Sequence, residues 1–97
     1  MVVISKTRLT EFGQQHADAI EAVNDWWEKT KKADWASLAD IKRTFNSVDY
    51  VGNDRYVFNI KGNRYRLVTM IFFDIRTLYI RYIDTHTAYD KIDCKTI

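Results

Sequence analysis

The segment of the chain richest in groups that handle protons is "IDTHTAYDKID", residues 83–93. It holds one histidine, one tyrosine, one lysine and three aspartates. A histidine side chain titrates near neutral pH and can carry a proton, and a tyrosine hydroxyl can donate or align one. Thr85 is suited to cap a short helical turn, which would bring His86, Tyr89 and Asp90 within one turn of each other. These residue types and their spacing predict a proton-transfer site.

Three strand-like segments precede this site and must position it. They are "RYVFNI", "RYRLVTMIFF" and "TLYIRYID", joined by the short connections "KGN" and "DIRT". Gly62 in the first connection tolerates the positive φ that a tight hairpin needs. Connections of this length join antiparallel neighbours, so the segments predict a meander that ends at the candidate site.

The beginning of the chain predicts a short strand followed by one long helix. "MVVI" is a short apolar strand, and Ser5 after it is a residue type that caps helices. Between Lys6 and about Lys32, apolar side chains recur every three or four residues, which is typical of one amphipathic helix. Gly13 is expected to weaken that helix by about 1 kcal/mol without breaking it.

A second helix is predicted in "SLADIKRTF", where Ser37 can cap the N-terminus and Asp40 follows three residues later. The next segment, "NSVDYVGND", is rich in turn residues and is expected to be a connection. We therefore expect an α+β fold in which two helices pack on one face of a mainly antiparallel sheet. The predicted order is β-α-α-β-β-β with a short C-terminal turn or helix.

The register of the last two strands decides which side chains share a face. A two-residue turn at Ile75 and Arg76 predicts three cross-strand pairs, which are Asp74 with Thr77, Phe72 with Tyr79, and Met70 with Arg81. The same register places Thr85 opposite Arg66. One face is then apolar and suits packing against the helices. The other, called the second face below, carries Arg64, Arg66, Val68 and Arg81 and is expected to be open to solvent or a partner.

Composition limits the class of protein. The chain has 97 residues, of which 46% are hydrophobic and 14% aromatic, so we expect one folded domain over residues 1–97. Its single cysteine, Cys94, cannot form an internal disulfide, and no apolar run is long enough to predict a signal peptide or membrane span. A cytoplasmic protein that does not interact with membranes is expected.

The charge is unevenly distributed along the chain. Residues 1–54 hold seven Lys/Arg and nine Asp/Glu, whereas residues 55–97 hold eight and four. Arginines interleaved with rings on an open sheet face are typical of surfaces that bind RNA. The alternative is that the arginine stems cover apolar sheet surface while their charged ends remain in water.

The candidate site and these cations together suit one reaction. In RNA, the 2′-hydroxyl can attack the neighbouring phosphate if one group takes its proton, another supplies a proton to the leaving 5′-oxygen, and cations stabilise the phosphate. His86 is the natural proton carrier and Tyr89 can donate or align a proton. The positive field would come from Arg64, Arg66, Arg81 and Lys91.

This reaction requires neither a protein nucleophile nor a metal, so no cofactor is expected. His86 and Asp90 have i, i+4 spacing, but two ligands are too few to predict a metal site. His16 is interpreted as a structural side chain, and Cys94 lacks the neighbours of a thiol enzyme. Each residue of the candidate site also has a purely structural interpretation, as a packed or capping side chain.

Three motifs, "KKADWASLADIK", "YVFNIKGNRYRLV" and "YIRYIDTHTAYDKID", closely resemble the HigB family of bacterial type II toxins, the RelE-like mRNA interferases. The resemblance runs through nearly the whole chain. Thr87 and Ala88 depart from it, since Ala and Glu are common there. Eight residues fall on matching positions, which are Lys61, Arg64, Arg66, Arg81, His86, Tyr89, Asp90 and Lys91.

The resemblance implies a RelE-like fold and an endoribonuclease that cleaves mRNA on the ribosome and arrests growth. It implies neutralisation by a HigA-type antitoxin with a helix-turn-helix domain, and binding of operator DNA only as the toxin–antitoxin complex. In that scheme His86 carries the proton, Arg64 and Arg66 clamp the phosphate, and Tyr89 orients the substrate. Asp90 supports catalysis, while Lys61, Arg81 and Lys91 bind RNA.

Two alternatives use the same surface. The chain could block translation by binding RNA or the ribosome without cutting, which would need the arginines and rings but no proton carrier. The second face could instead serve mainly to grip an acidic segment of the antitoxin, so that removing Arg66 would first weaken that complex.

Overall fold

The computed structural model describes residues 1–93 and 96–97, so Cys94 and the expectations about it lie outside the described residues. The described chain forms one sheet with the strand order β1-β5-β4-β3-β2. The strands are β1 (Val2–Ile4), β2 (Val48–Gly52), β3 (Arg55–Ile60), β4 (Tyr65–Phe72) and β5 (Thr77–Thr85). The short β1 runs parallel to β5, and the other neighbours are antiparallel. The expected α+β class is confirmed.

The helices of the described chain are α1 (Lys6–Gln15), α2 (Ile20–Lys32), α3 (Leu38–Thr44) and α4 (His86–Tyr89), with a 3₁₀ turn at Ala17–Ala19 before α2. None of them is long and apolar enough to cross a bilayer. The first three helices pack on one face of the sheet, and α4 follows β5 at its end.

The single helix predicted from Lys6 to Lys32 is wrong, because the chain leaves the helix at His16, with φ −130° and ψ 78°. Two contacts accompany the break. The His16 ring stacks on Phe12 with 4.3 Å between centroids. A Cβ on Gly13 would lie 3.1 Å from Cγ1 of Ile20, so α1 and the start of α2 approach closely there.

Capping differs between the first and third helices. Ser5 precedes α1 but has φ 74°, and in the described structure its hydroxyl caps no helix N–H. Ser37 accepts a hydrogen bond from the Asp40 N–H at 3.4 Å, and Asp40 Oδ2 accepts from the Ala36 N–H at 2.9 Å. The predicted cap of α3 is therefore confirmed, with the carboxylate reaching one residue further back than in a capping box.

The segment expected to be a connection before β3 contains the edge strand β2. Val48 is buried, and it pairs with Phe58 of β3. Pairing with β3 satisfies the main-chain hydrogen-bonding groups of this polar segment. The residue types of the segment do not favour a strand, so the strand was not predicted.

Aromatic side chains form the centre of the core between the helices and the sheet. Phe58 of β3 is 1% exposed and lies 5.4 Å from Trp26, 5.6 Å from Phe45 and 6.2 Å from Trp35, measured between ring centroids. Because these rings come from α2, β3 and the segments on either side of α3, their packing joins the helices to the sheet.

The predicted register of β4 and β5 is wrong for two reasons. The chain turns through a 3₁₀ segment, Phe73–Ile75, and then through Arg76 with φ 50°, so Phe72 pairs with Thr77. A bulge between Val68 and Thr69 then leaves Arg81 without a partner in the ladder. Beyond the bulge, Asp84 rather than Thr85 lies opposite Arg66.

The second face is less open than expected. Arg55, Val57 and Val68 are all buried on it. The main-chain oxygen of Ile97 accepts hydrogen bonds from Arg55 Nη2 at 2.7 Å and from Arg81 Nε at 3.3 Å. The end of the described chain thus lies across this face, and Arg66 remains half-buried at its margin.

Candidate functional site

The corner after β5 is held by main-chain and capping hydrogen bonds. Thr85 Oγ1 accepts from the Ala88 N–H at 3.2 Å, and Asp84 Oδ1 accepts from the Thr85 N–H at 2.7 Å. The His86 N–H donates to the Arg64 carbonyl at 3.0 Å. The capped turn predicted at Thr85 is confirmed, and α4 is fastened to the loop between β3 and β4.

His86 is oriented by an acid on its own turn. Its Nδ1 lies 3.0 Å from Asp90 Oδ2. An acceptor at Nδ1 favours the form with the proton on that nitrogen, which leaves Nε2 to accept a proton from a substrate. Both side chains are about half exposed, so His86 is accessible to a ligand from solvent.

Arg66 and Tyr89 lie next to each other at the same corner. The guanidinium carbon of Arg66 is 6.0 Å from the Tyr89 ring centroid, and Arg66 Nη1 donates to the Asn63 carbonyl at 3.1 Å. Asp84 lies opposite Arg66 on β5. A cation, a phenol and an imidazole thus lie at the same end of β4 and β5, a combination that can transfer protons to and from a phosphate ester.

A second cluster centres on Asp18 in the 3₁₀ turn before α2. Its Oδ2 accepts from Arg64 Nη1 at 2.7 Å and from Lys61 Nζ at 3.3 Å. Its Oδ1 accepts from the Tyr65 hydroxyl at 2.6 Å, and its main-chain oxygen accepts from Lys61 Nζ at 2.8 Å. One carboxylate therefore fixes both ends of the loop between β3 and β4.

These hydrogen bonds shift the pKa values of Asp18 and Tyr65 in opposite directions. The hydrogen bond from Tyr65 is the largest cause of an Asp18 pKa lowered to about 2, and the bonds from Arg64 and Lys61 lower it further. The same bond to Asp18 is the main reason that the pKa of Tyr65 is raised. At neutral pH the carboxylate is charged and the phenol remains a donor.

Asp18 was missed from the sequence because it lay inside a segment interpreted as one continuous helix. The break at His16 places Asp18 in a separate 3₁₀ turn, where its carboxylate binds Arg64 and Tyr65. His16 itself stacks on Phe12 and lies edge-on to Tyr65 at 5.5 Å, as expected for a structural side chain.

A family model described as the RelE-like toxic component of a toxin–antitoxin system, HigB_toxin, matches residues 19–92. This chain belongs to the HigB toxin family. The resemblance seen in the sequence motifs is confirmed, and with it the RelE-like fold. Membership in the family implies an antitoxin partner. The matched range includes all eight predicted site residues, whereas Asp18 lies one residue before it.

Individual HigB relatives agree with the family model. An Escherichia coli protein named mRNA interferase HigB is 24% identical over 94 residues, which cover 95% of this chain and 91% of the relative. A second Escherichia coli protein, mRNA interferase toxin HigB, is 43% identical over 53 residues, or 52% of this chain and 50% of the relative. The mRNA interferase HigB of Shigella flexneri gives the same values.

Two of the remaining predicted residues lie apart from His86. Arg81 is the bulged residue of β5, where its carbonyl accepts from Arg8 Nη1 at 3.1 Å and its side chain reaches Ile97. Lys61 points to Asp18. Lys91 is exposed just after α4, with its N–H donating to the Ala88 carbonyl at 3.1 Å.

Over residues 1–93 and 96–97, no group of three or more His, Cys, Asp or Glu side chains is arranged to hold a metal ion. His86 and Asp90 bind each other instead. The described site therefore consists of an oriented imidazole and a phenol beside an arginine, with two further cations held by Asp18.

Proposed function

We propose that this HigB-family chain is an mRNA interferase, an endoribonuclease that cleaves mRNA by attack of the 2′-hydroxyl on the adjacent phosphate. The observation that carries the proposal is the orientation of His86 by Asp90 at 3.0 Å, beside the Arg66–Tyr89 pair. The names of the relatives, which are mRNA interferases, support the same activity.

The proposed step transfers two protons and exchanges one P–O bond for another. A base removes the proton of the 2′-hydroxyl while its oxygen bonds to phosphorus, and the bond from phosphorus to the 5′-oxygen breaks. An acid supplies the proton that the 5′-oxygen needs to leave. The products are a 2′,3′-cyclic phosphate and a 5′-hydroxyl. His86 Nε2 carries one of the two protons, and the Tyr89 hydroxyl supplies or aligns the other.

The cations have separate tasks in this proposal. Arg66 contacts the phosphate beside Tyr89 and stabilises the charge that builds on its oxygens. Arg64 is placed second, because in the free chain its guanidinium is bound to Asp18 at 2.7 Å. A substrate phosphate must share or replace that carboxylate to bind Arg64. Lys61, Lys91 and Arg81 contribute to RNA binding outside the cleaved bond.

The proposed setting is the cytoplasm, where mRNA is translated. The ribosome would present the mRNA, and a HigA-type antitoxin with a helix-turn-helix domain would neutralise the toxin. Operator DNA would be bound only by the toxin–antitoxin complex, with base recognition provided mainly by the antitoxin.

Mapping mRNA 5′ ends in growing cells, with and without induced toxin, tests the proposal. New 5′ ends within coding regions are expected in cells that express the wild-type toxin. They should be absent in cells that express the His86→Ala variant at the same level. Blocked protein synthesis with unchanged transcripts would contradict cleavage and favour a non-catalytic inhibitor that binds RNA or the ribosome.

A further inference from the structure

A cavity of about 460 Å³ lies between α2, the end of α3, the connection that follows α3 and the strand β3. Its lining includes four cationic side chains, which are Lys29, Lys42, Arg43 and Lys61, and one carboxylate, Asp25. A cavity lined by several cations and one acid attracts an anionic ligand. The proposed function gives a task only to Lys61 among these residues, and the family description mentions none of them.

The ion pairs around the cavity leave its cations able to bind a ligand. Lys29 is 3.0 Å from Asp25, and Arg43 is 3.0 Å from Asp40, but Lys29, Asp25 and Arg43 are each more than half exposed. Pairs exposed to this degree contribute about 0–1 kcal/mol each. A phosphate can therefore replace the carboxylate in such an ion pair with little loss of free energy.

The cavity is connected to the candidate cleavage site by a chain of contacts. Lys61 lines the cavity and binds Asp18, which also binds Arg64 at 2.7 Å. The Arg64 carbonyl in turn holds the His86 N–H at 3.0 Å. Lys61, Asp18 and Arg64 thus link the wall of the cavity to the turn that carries His86.

The polar lining of the cavity suits nucleotides better than an apolar ligand. Asn46, Ser47 and Asn59 add hydrogen-bonding groups at its wall. Trp26 also lines it, and the buried indole N–H of that residue has no acceptor in the described part of the chain. An acidic peptide would also match the charge, but the chain of contacts from Lys61 to His86 favours RNA.

We propose that this cavity binds the phosphodiester backbone of single-stranded RNA next to the bond that is cleaved, with Lys42 and Arg43 as its main phosphate contacts. The inference rests on the proposed function, because it assigns the cavity to the same RNA substrate. Binding there would hold the strand so that the scissile phosphate lies at Arg66 and His86.

The test measures binding of a fluorescent 2′-O-methyl RNA, which lacks the attacking hydroxyl, at several salt concentrations. The Lys42→Ala/Arg43→Ala variant is compared with the wild type and with Lys32→Ala, which removes an exposed α2 lysine that does not line the cavity. The logarithm of the binding constant falls with the logarithm of the salt concentration, and each phosphate contact on a single strand makes that slope steeper by roughly 0.7. The double variant, which loses two contacts, should therefore have a slope shallower by about 1.4. Lys32→Ala should match the wild type.

Two results would overturn the proposal. One is that the double variant binds RNA with the same affinity and the same salt dependence as Lys32→Ala. That result overturns the proposal even if the double variant binds an acidic peptide more weakly, which would mark the cavity as a peptide site. The other is a wild-type chain that binds the RNA with no dependence on salt or not at all. The 2′-O-methyl RNA cannot be cleaved, so this assay measures binding independently of cleavage. If the cavity binds this RNA but the chain does not cleave mRNA, only the proposed function is refuted.

Discussion

Replacing His86 with alanine should abolish most of the cleavage activity while leaving the fold intact. In the structure, the side chain of His86 contacts Asp90 at 3.0 Å, and the two side chains are 47% and 57% exposed. A solvent-screened pair of this kind contributes about 0–1 kcal/mol to stability. Alanine also favours helix by up to ~0.7 kcal/mol relative to other ordinary residues, which offsets part of that loss.

The expected effect on the rate is much larger than the effect on stability. Loss of a positioned acid or base lowers the rate about 10²–10⁴-fold, which corresponds to roughly 3–5 kcal/mol in the activation barrier. For a chain of this length, 1 kcal/mol shifts the melting temperature by about 4–8 °C. A variant that melts within that range of the wild type has lost about 1 kcal/mol, which lowers the folded-to-unfolded ratio about fivefold at most. Unfolding therefore cannot explain a rate loss of about 10²-fold or more.

The assay compares single-turnover cleavage by the wild type, His86→Ala and Thr87→Ala, which changes the next, exposed residue of α4. Asp90→Asn should fall between the wild type and His86→Ala, because it weakens the orientation of the imidazole but keeps it in place. A His86→Ala rate within a few fold of the wild type, at matched folding, would refute its role in proton transfer.

Three further predictions concern the fold that supports the site. The Asp18 pKa is lowered from 3.8 to about 2, so its stabilising contribution is present above pH 3.8 and is lost as the pH falls towards 2. Asp18→Asn should flatten that part of the stability curve, measured by urea unfolding at several pH values, whereas parallel curves would contradict it. Phe58→Ala should cost about 3–5 kcal/mol in the free energy of unfolding, because a ring that is 1% exposed leaves a cavity; a urea midpoint near that of the wild type would contradict this. Gly62 has φ +66° and a Cβ there would meet no described atom within 4 Å, so Gly62→Ala should cost about 1–2 kcal/mol from backbone strain alone; thermal unfolding that is unchanged would show that the loop adopts another conformation.

The sheet and the α4 corner could be predicted because their signals are local. The strand "RYVFNI" coincides with β3, Gly62 has the positive φ expected in its hairpin, and Thr85 caps the predicted turn. Alternation of side chains and capping depend on residues within a few positions of each other. The apolar face of the meander could be found from the same local patterns only as far as the bulge, beyond which Ile83 rather than Tyr82 shares that face with Leu67.

The register, the helix break and the Asp18 cluster depend on contacts between distant residues. Neither the 3₁₀ turn before β5 nor the bulge at Arg81 has a signature in the sequence, and together they bring Asp84 opposite Arg66. At the break, the His16 ring lies edge-on to Tyr65 at 5.5 Å, a contact between residues far apart in the sequence. A period of 3.6 residues continues through such a break, so the position of Asp18 could not be predicted.

The most direct test of the central claim is the chemistry of the RNA ends that the purified protein produces on mRNA bound to translating ribosomes. Attack by the 2′-hydroxyl predicts a 2′,3′-cyclic phosphate on the upstream fragment and a 5′-hydroxyl on the downstream fragment, with neither formed by His86→Ala. Fragments with 5′-phosphate ends, or intact mRNA under conditions in which translation stops, would contradict it.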